Sequence, residues 1–594
     1  MLACATTLAG RAVELVRTEA EYTLMRDEQR LYLKGAGGDG DLALLKRAGG
    51  NAIRTWGVGP ETPAVLDDAH ANGLVVVFGL WLGHERHGFD YNDAGQVADQ
   101  LDAIRAAVET YKDHPAIIAW SIGNEMEGYE DANNAAIWSH VQSAAGIVKD
   151  LDPTRPTMTV IADVGGGRVP NIHRLCPDID IVGINSYGGA PSIPQRYRDA
   201  VPEGYEPKPY VLTEYGPAGS WEVPMNDFDV PEEQTSTQKA NVYRETYLAL
   251  EQDTELCLGS FAFTWGAKRE ATSTWFGLFL HGEKPGETAE KLAGVDTLAE
   301  LWGGDVGNLC PTIEPLEATA NTGVAGDTIT VTTAVADPEG DDLETTWTLS
   351  AEQSTYFTGG DTQPELPTFD DAISAADNTR VTITLPETPG VYRLYAVVRD
   401  GNGSAATASL PLLVKAKPGA EERAANDAVR AALPLAIVGD DVPGAYVPSG
   451  WMGAVAALTM DERDTTDPHT GATALKFAYT AADGWAGVVW QSPANDWGNV
   501  AGGFDLTGAT KLTFWARGAN GGETVGFGIG GIEPDKPFFD TATADLEVTL
   551  TDQWKQYEIP LAGKDLSRIK SGFRWSAAAN GKPFAFYLDD VRYE

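Results

Sequence analysis

The chain has 594 residues, too many for one ordinary domain, which sets an expectation of three or four. Its 86 acidic residues against 43 basic ones give a formal charge of −43. That charge argues against nucleic acid or an anionic membrane surface as a partner, and suits a protein kept soluble in a salty medium. No apolar run is long enough to span a membrane. The four cysteines, Cys4, Cys176, Cys257 and Cys310, lack metal-ligand spacing. Free buried thiols are expected, with a disulfide among the last three as the alternative.

Residues 1–29 read as an export remnant and a lead-in hairpin. Met1-Leu2-Ala3-Cys4-Ala5 resembles the end of a bacterial lipoprotein signal, with Cys4 as a candidate lipid anchor, although the charged and most of the apolar region of such a signal are missing. The expected localisation is exported: periplasmic, cell-surface or secreted. A rhythm of strands and helices then begins. Strands are predicted at 31–35, 51–56, 74–81, 116–122, 157–161, 179–187, 210–214 and 258–265. Helices separate them, including a poor one at 195–199, and a closing helix is predicted at 289–301. Eight such units within 30–308 predict a (β/α)8 barrel. Residues 309–415 change to short Thr/Val strands and turns, with period-two alternation from Gly390 to Val398. These predict an immunoglobulin-like β-sandwich, read here as a spacer. A linker follows at 416–432. Residues 433–594 are rich in glycine and tryptophan and read as a β-jelly-roll.

Two stretches stand out. Ala116 to Ile122 is a continuous apolar run ending in Gly123-Asn124-Glu125, and Tyr210-Val211-Leu212-Thr213 leads into Glu214. Both read as strands buried on two faces, with a carboxylate at the end where a barrel keeps its chemistry. Two carboxylates at one barrel mouth suit glycosidic bond cleavage. A spacing of about 5 Å would make one a nucleophile, and ~6.5–9.5 Å would imply inversion. Apolar neighbours would raise the pKa of Glu125, as suits a general acid. Other strand ends offer support. Arg54 is placed to orient the nucleophile, Asn124 to hold a sugar hydroxyl, His84 to line the cleft, Tyr187 to donate to Glu214, and Trp265 to floor a sugar subsite. Taken singly, a strand-end glutamate is more often a surface ion-pair partner, and Trp265 more often core. The convergence of all these residues on strand ends of one barrel favours the sugar reading. His84 and His87 find no third ligand at a recognisable spacing, so no metal or other catalytic cofactor is expected.

Ala119-Trp120-Ser121-Ile122-Gly123-Asn124-Glu125 resembles the acid/base strand of the clan A retaining glycoside hydrolases, especially the family 2 TIM-barrel domain. Tyr210 to Gly216 resembles that clan's nucleophile strand, Asn51 to Trp56 its second strand and Asp180 to Tyr187 its sixth. The resemblance implies Glu125 as acid/base and Glu214 as nucleophile. The Gly-Asn-Glu and Glu-Tyr-Gly signatures are also similar to those of fungal β-1,3-glucan transglycosylases. Trp485 to Gln491, Asp496-Trp497-Gly498 and the closing Tyr587-Leu588-Asp589-Asp590-Val591 resemble a jelly-roll carbohydrate-binding module. That implies Trp485 and Trp497 as exposed glycan contacts and Trp515 as buried. It also implies a candidate structural calcium at Asp589 or Asp590. The expected activity is retaining hydrolysis of a polysaccharide or oligosaccharide, with a β-glucan, β-1,3-linked, favoured. A β-glucan transglycosylase with the same glutamates is the nearest alternative, and a non-catalytic glycan-binding protein the alternative from another class.

Overall fold

The computed structural model describes residues 13–594 apart from 129–131, 283, 285–286, 354, 357, 416–427, 440–444 and 535. Cys4, and with it the anchor expectation, lies outside the described residues, as does most of the expected linker 416–432. The chain divides into two compact units. One holds residues up to 321 with 328–384 and 391–412, and the other 322–327, 385–390 and 413–594.

The first unit opens with a small antiparallel sheet, β1 (Val13–Arg17), β2 (Tyr22–Arg26) and β3 (Gln29–Arg30). Eight parallel strands then close into a barrel: β4 (Leu33–Gly37), β5 (Ala52–Arg54), β6 (Val75–Leu80), β7 (Ile117–Ile122), β8 (Thr157–Ala162), β9 (Ile181–Asn185), β10 (Tyr210–Tyr215) and β11 (Cys257–Ala262). Every residue of β6, β7, β10 and β11 is buried. One face fills the barrel and the other meets the helices, which is why these strands read as unbroken apolar runs. Val13 and Leu24 of the opening sheet pack with Leu33, Val75, Ile181 and Leu258, near the starts of the barrel strands. The hairpin therefore plugs the N-terminal mouth and leaves the C-terminal mouth for chemistry.

The helices are α1 (Leu42–Arg47), α2 (Thr62–Ala71), α3 (Ala94–Tyr111), α4 (Ala135–Leu151), α5 (Arg168–Leu175), α6 (Ile193–Ala200), α7 (Ser236–Glu251) and α8 (Ala293–Trp302). The poor helix expected at 195–199 is the regular eight-residue α6, three residues longer, with a proline in its first turn, where a missing N–H costs nothing. The closing helix begins later than expected. Residues 288–291 instead form strand β13 (Thr288–Lys291), paired with β12 (Phe279–His281) in a hairpin. Cys176, Cys257 and Cys310 are buried free thiols.

After the barrel comes a β-sandwich of two four-stranded sheets. One holds Glu317–Ala318, Thr328–Thr332, Arg380–Thr384 and Ile373–Ala376. The other holds Thr322–Val324, Ala405–Lys415, Gly390–Arg399 and Glu344–Ala351. It is not a spacer. Its fully buried Arg393 donates to Glu352 (2.8 Å), to Ser409 Oγ (3.0 Å) and to the backbone carbonyl of Pro231 beside the barrel (3.1 Å). Ser409 in turn donates to Glu233, which also receives Lys239, Thr272 and Thr274. A buried charge cluster this well hydrogen-bonded fixes one docking geometry, because breaking any partner leaves a charge unmatched.

The C-terminal unit is a second, larger sandwich with sheets of six and five strands. Phe477, Trp490, Phe514, Phe527, Phe573, Trp575 and Phe586 form its core.

Candidate active site

Gly123, at the end of β7, has φ +72°, and a Cβ there would strike the Sδ of Met126 at 2.0 Å. Glycine is therefore required for the chain to leave the strand at this angle. Two residues on, Glu125 itself has φ +51°, and its amide donates to the carbonyl of Val160 on β8 (2.9 Å). A non-glycine residue in this region costs on the order of 1 kcal/mol, so the turn is held by its surroundings. The turn sends the Glu125 carboxyl toward β9, where Asn185 Nδ2 donates to its Oε1 (2.6 Å). The same nitrogen reaches Asn124 Oδ1 (3.1 Å), and Thr213 Oγ1 donates to Asn185 Oδ1 (2.8 Å), which sets the amide's orientation.

Glu214, on β10, is held by three donors. Arg54 Nη1 and Trp56 Nε1 both reach Oε1 at 2.8 Å, and Tyr187 Oη donates to Oε2 at 2.9 Å. Arg54 is fully buried and also binds the Thr213 carbonyl (3.2 Å) and Asn124 Oδ1 (2.6 Å). An unbroken relay thus runs from Glu214 through Arg54 and Asn124 to Asn185 and Glu125. Burial, with the nearby charges of Glu214 and Glu125, pushes the Tyr187 hydroxyl well above its ordinary pKa, so it remains a donor.

The two carboxyls sit in contrasting environments. Glu125 is raised from 4.5 to about 7, first by burial and then by the charge of Glu214, with the Asn185 hydrogen bond pulling the other way. Glu214 faces a guanidinium, an indole N–H and a phenol. Beneath Glu125, the buried Glu127 accepts from Arg168 Nε (2.9 Å) and from the amide of Ala162 (2.8 Å). A carboxyl raised toward neutrality beside one held by donors is the arrangement that lets one serve as an acid and the other as a nucleophile.

His84 lies under the cleft wall. Its Nδ1 accepts from Arg86 Nε (3.2 Å), so its Nε2 carries the proton and donates to the Asn124 carbonyl (2.7 Å). Burial, and then the Arg86 charge, lower it to about 4, so it is neutral and structural in this role. It stacks between Trp81 (4.8 Å) and His87 (5.6 Å). The cleft encloses about 800 Å³.

Trp265 is a correction. It is 0% exposed, donates Nε1 to the Asp41 carbonyl and packs edge-on against Phe279 within the core. No ring face is free for a sugar. The open indoles at the cleft are Trp81, 42% exposed, and Trp221, 49% exposed. Trp56, Phe263 and Phe276 line it more deeply. Sequence reasoning assigned no role to Trp56, Asn185 or Thr213. All three lie at or beside the end of a barrel strand, which is the signal that could have singled them out.

In the C-terminal unit, Trp485 is 47% and Trp497 39% exposed. Trp485 shares the outer face of its sheet with Gly487, which pairs across to Ser576 and onward to Gly526. Trp515, expected to be buried, is only half-buried and stacks on His469 at 3.7 Å on the other sheet. Asp589 accepts from the amides of His469, Thr470 and Asp590, and Asp590 accepts from the Thr470 hydroxyl. Among the described residues no three acidic, histidine or cysteine side chains are grouped to hold a metal.

Residues 39–228 match the family model of the glycosyl hydrolases family 2 TIM barrel domain, and residues 439–594 that of carbohydrate binding domain 30. Each match covers less than half of the chain. A β-glucuronidase of Paenibacillus borealis is 25% identical over 238 residues, 34% of this chain and 38% of that protein. A β-galactosidase of Arthrobacter sp. strain B7 is 36% identical over 110 residues, 17% of this chain and 10% of that protein. Among solved structures, the β-D-glucuronidase of Dictyoglomus thermophilum aligns over 49% of this chain and 53% of its own, at 20% identity and a TM-score of 0.38. The chain spans less than two fifths of the length of the curated relatives named here.

Proposed function

We propose that this protein is a retaining β-glycoside hydrolase that acts on a glycan by double displacement. The observation that carries the reading is the pair at the barrel mouth: Glu214 under three donors and Glu125 raised to about 7. In the first step a Glu214 oxygen bonds to the anomeric carbon as the glycosidic C–O bond breaks, and Glu125 gives its proton to the departing oxygen. In the second step Glu125 takes a proton from water, whose oxygen attacks the same carbon and releases Glu214. Arg54, Trp56 and Tyr187 disperse charge on Glu214 and hold it in line. Asn124 presents its amide beside both carboxyls.

The finer reading is a β-glucan substrate, β-1,3-linked, and it rests on the resemblance read from the two signature stretches of the sequence alone. The exposed Trp485 and Trp497 support a C-terminal domain that keeps the enzyme on polymer, raising its effective concentration there. An exported protein with a charge of −43 suits that work.

The test is product analysis on a panel of β-glucans, galactans and mannans, with Glu125→Ala assayed on an activated aryl glycoside in the presence of azide. Shortened products from one polymer, and a β-configured glycosyl azide from the variant, support the hydrolase. Products longer than the starting oligosaccharide move the reading to a transglycosylase. Glycan binding with no product from any polymer moves it to a binding protein.

A further inference from the structure

One wall of the cleft comes from the sandwich and not from the barrel. Gly359, Gly360, Asp361 and Thr362 line it together with the barrel residues. This loop is bound to the barrel by both backbone and side chain. Arg86 Nη1 and Nη2 donate to the carbonyls of Thr358 (3.2 Å) and Gly359 (2.6 Å). Lys268 Nζ donates to the carbonyl of Gly360 (2.6 Å), while the Gly360 amide donates to Glu270 Oε1 (3.0 Å). The buried Gln363 side chain accepts from the amide of Ala271 (2.7 Å), and its backbone amide donates to the carbonyl of Arg269 (2.8 Å).

The loop has an electrostatic consequence. A sugar acid in the cleft would need a cation for its carboxylate. Three basic side chains line the cleft: Arg86, Arg168 and Lys268. Arg168 is paired with Glu127, and Lys268 with Glu270 at 3.1 Å. Arg86 directs its three nitrogens to His84 and to the two loop carbonyls. Against these three stand seven carboxyl groups in the same lining, of which Glu125 is protonated toward neutrality and Glu214 and Asp163 are paired with Arg54 and Arg196. An anionic sugar entering here meets net like charge and cations already engaged.

Resting on the glycosidase reading, we propose that the sandwich loop Thr358 to Gln363 is a specificity wall that restricts the cleft to neutral glycans and rejects uronates. The two cations nearest the loop, Arg86 and Lys268, act on it as latches and not as clamps on substrate.

The experiment compares one polymer in two forms: the neutral glycan that the panel identifies, and the same glycan with its C6 hydroxyls oxidised to carboxylates. In parallel, cyclophellitol-type epoxides of gluco and galacto configuration, neutral and as C6 carboxylates, are scored for covalent labelling by intact mass. The wild type is expected to cut or label the neutral form at least about tenfold faster. Glu270→Gln, which leaves Lys268 without its carboxylate, should narrow that gap by about tenfold, the size of one charge interaction near a protein surface. Arg86→Gln, which removes the latch on the Thr358 and Gly359 carbonyls, should also narrow it. Equal or faster reaction of the carboxylate form overturns the proposal. So does a carboxylate activity that Arg86→Gln abolishes, or a neutral preference that neither variant moves. If neither form is cut and neither epoxide labels the protein, the glycosidase reading has failed and this inference falls with it.

Discussion

Replacing Glu125 with glutamine should make the barrel more stable at alkaline pH and change it little at acid pH. The Glu125 carboxyl holds its proton to about pH 7 in the folded chain against an ordinary value of 4.5, because burial and the charge of Glu214 penalise its ionised form. A group that binds its proton more tightly when folded favours the native state at low pH. Stability is therefore lost as pH rises from 4.5 toward 7, and the loss is complete above that. At ~1.36 kcal/mol per pH unit of difference the full effect is about 3 kcal/mol, reduced to about 2 because the carboxyl is partly open to cleft water. Glutamine never ionises and keeps an oxygen for Asn185 Nδ2, so the variant escapes this loss. Urea unfolding of both full-length proteins near pH 5 and near pH 8, with hydrogen exchange of peptides spanning β7 and β10 to report the barrel, reads the difference. If the variant gains no more stability over the wild type near pH 8 than near pH 5, Glu125 titrates at its ordinary value and the acid assigned here has lost its physical basis.

The same carboxyl sets the alkaline limb of the pH–rate profile, so kcat/KM should fall as pH rises through about 7. Since the Asn185 hydrogen bond lowers the Glu125 pKa, Asn185→Ala should move that limb to higher pH even as the rate drops; a limb moving to lower pH contradicts the assignment. Arg54→Met removes donors to Glu214, Thr213 and Asn124 and should lower kcat by about 10²–10³-fold, with KM for small glycosides changing far less. Trp485→Ala should weaken retention on insoluble polymer in a pull-down while hydrolysis of small aryl glycosides stays at the wild-type rate.

Much of the barrel was legible because its strands are buried on both faces. Apolar runs such as Ile117–Ile122 therefore need no tertiary context to be recognised, and each ends where a parallel strand must deliver its side chains. Glu125 and Glu214 could be picked from the sequence for that reason, as could Arg54 and Tyr187. Trp265 misled because a strand-end aromatic looks alike from sequence whether its ring faces the cleft or the core, and only the turn geometry after β11 settles which. Asn185 and Thr213 act on other side chains, so their part appears only when β9 and β10 are set side by side. Residues 289–291 fit a helical pattern, but their partner in the β12–β13 hairpin is set by a turn that local propensity does not specify. The least legible feature was the sandwich loop. Its role depends on contacts between segments some 90 to 270 residues apart, such as Ala271 with Gln363 and Arg86 with Thr358, which no local pattern encodes.

The most direct test of the account is to trap the glycosyl-enzyme. A 2-deoxy-2-fluoro glycosyl fluoride of the sugar that the panel identifies slows the second step more than the first, and peptide mass mapping then locates the bond. The account predicts one label, on Glu214, absent from Glu214→Gln and released slowly with return of activity. A label on another residue, or a first product of inverted anomeric configuration, would contradict it.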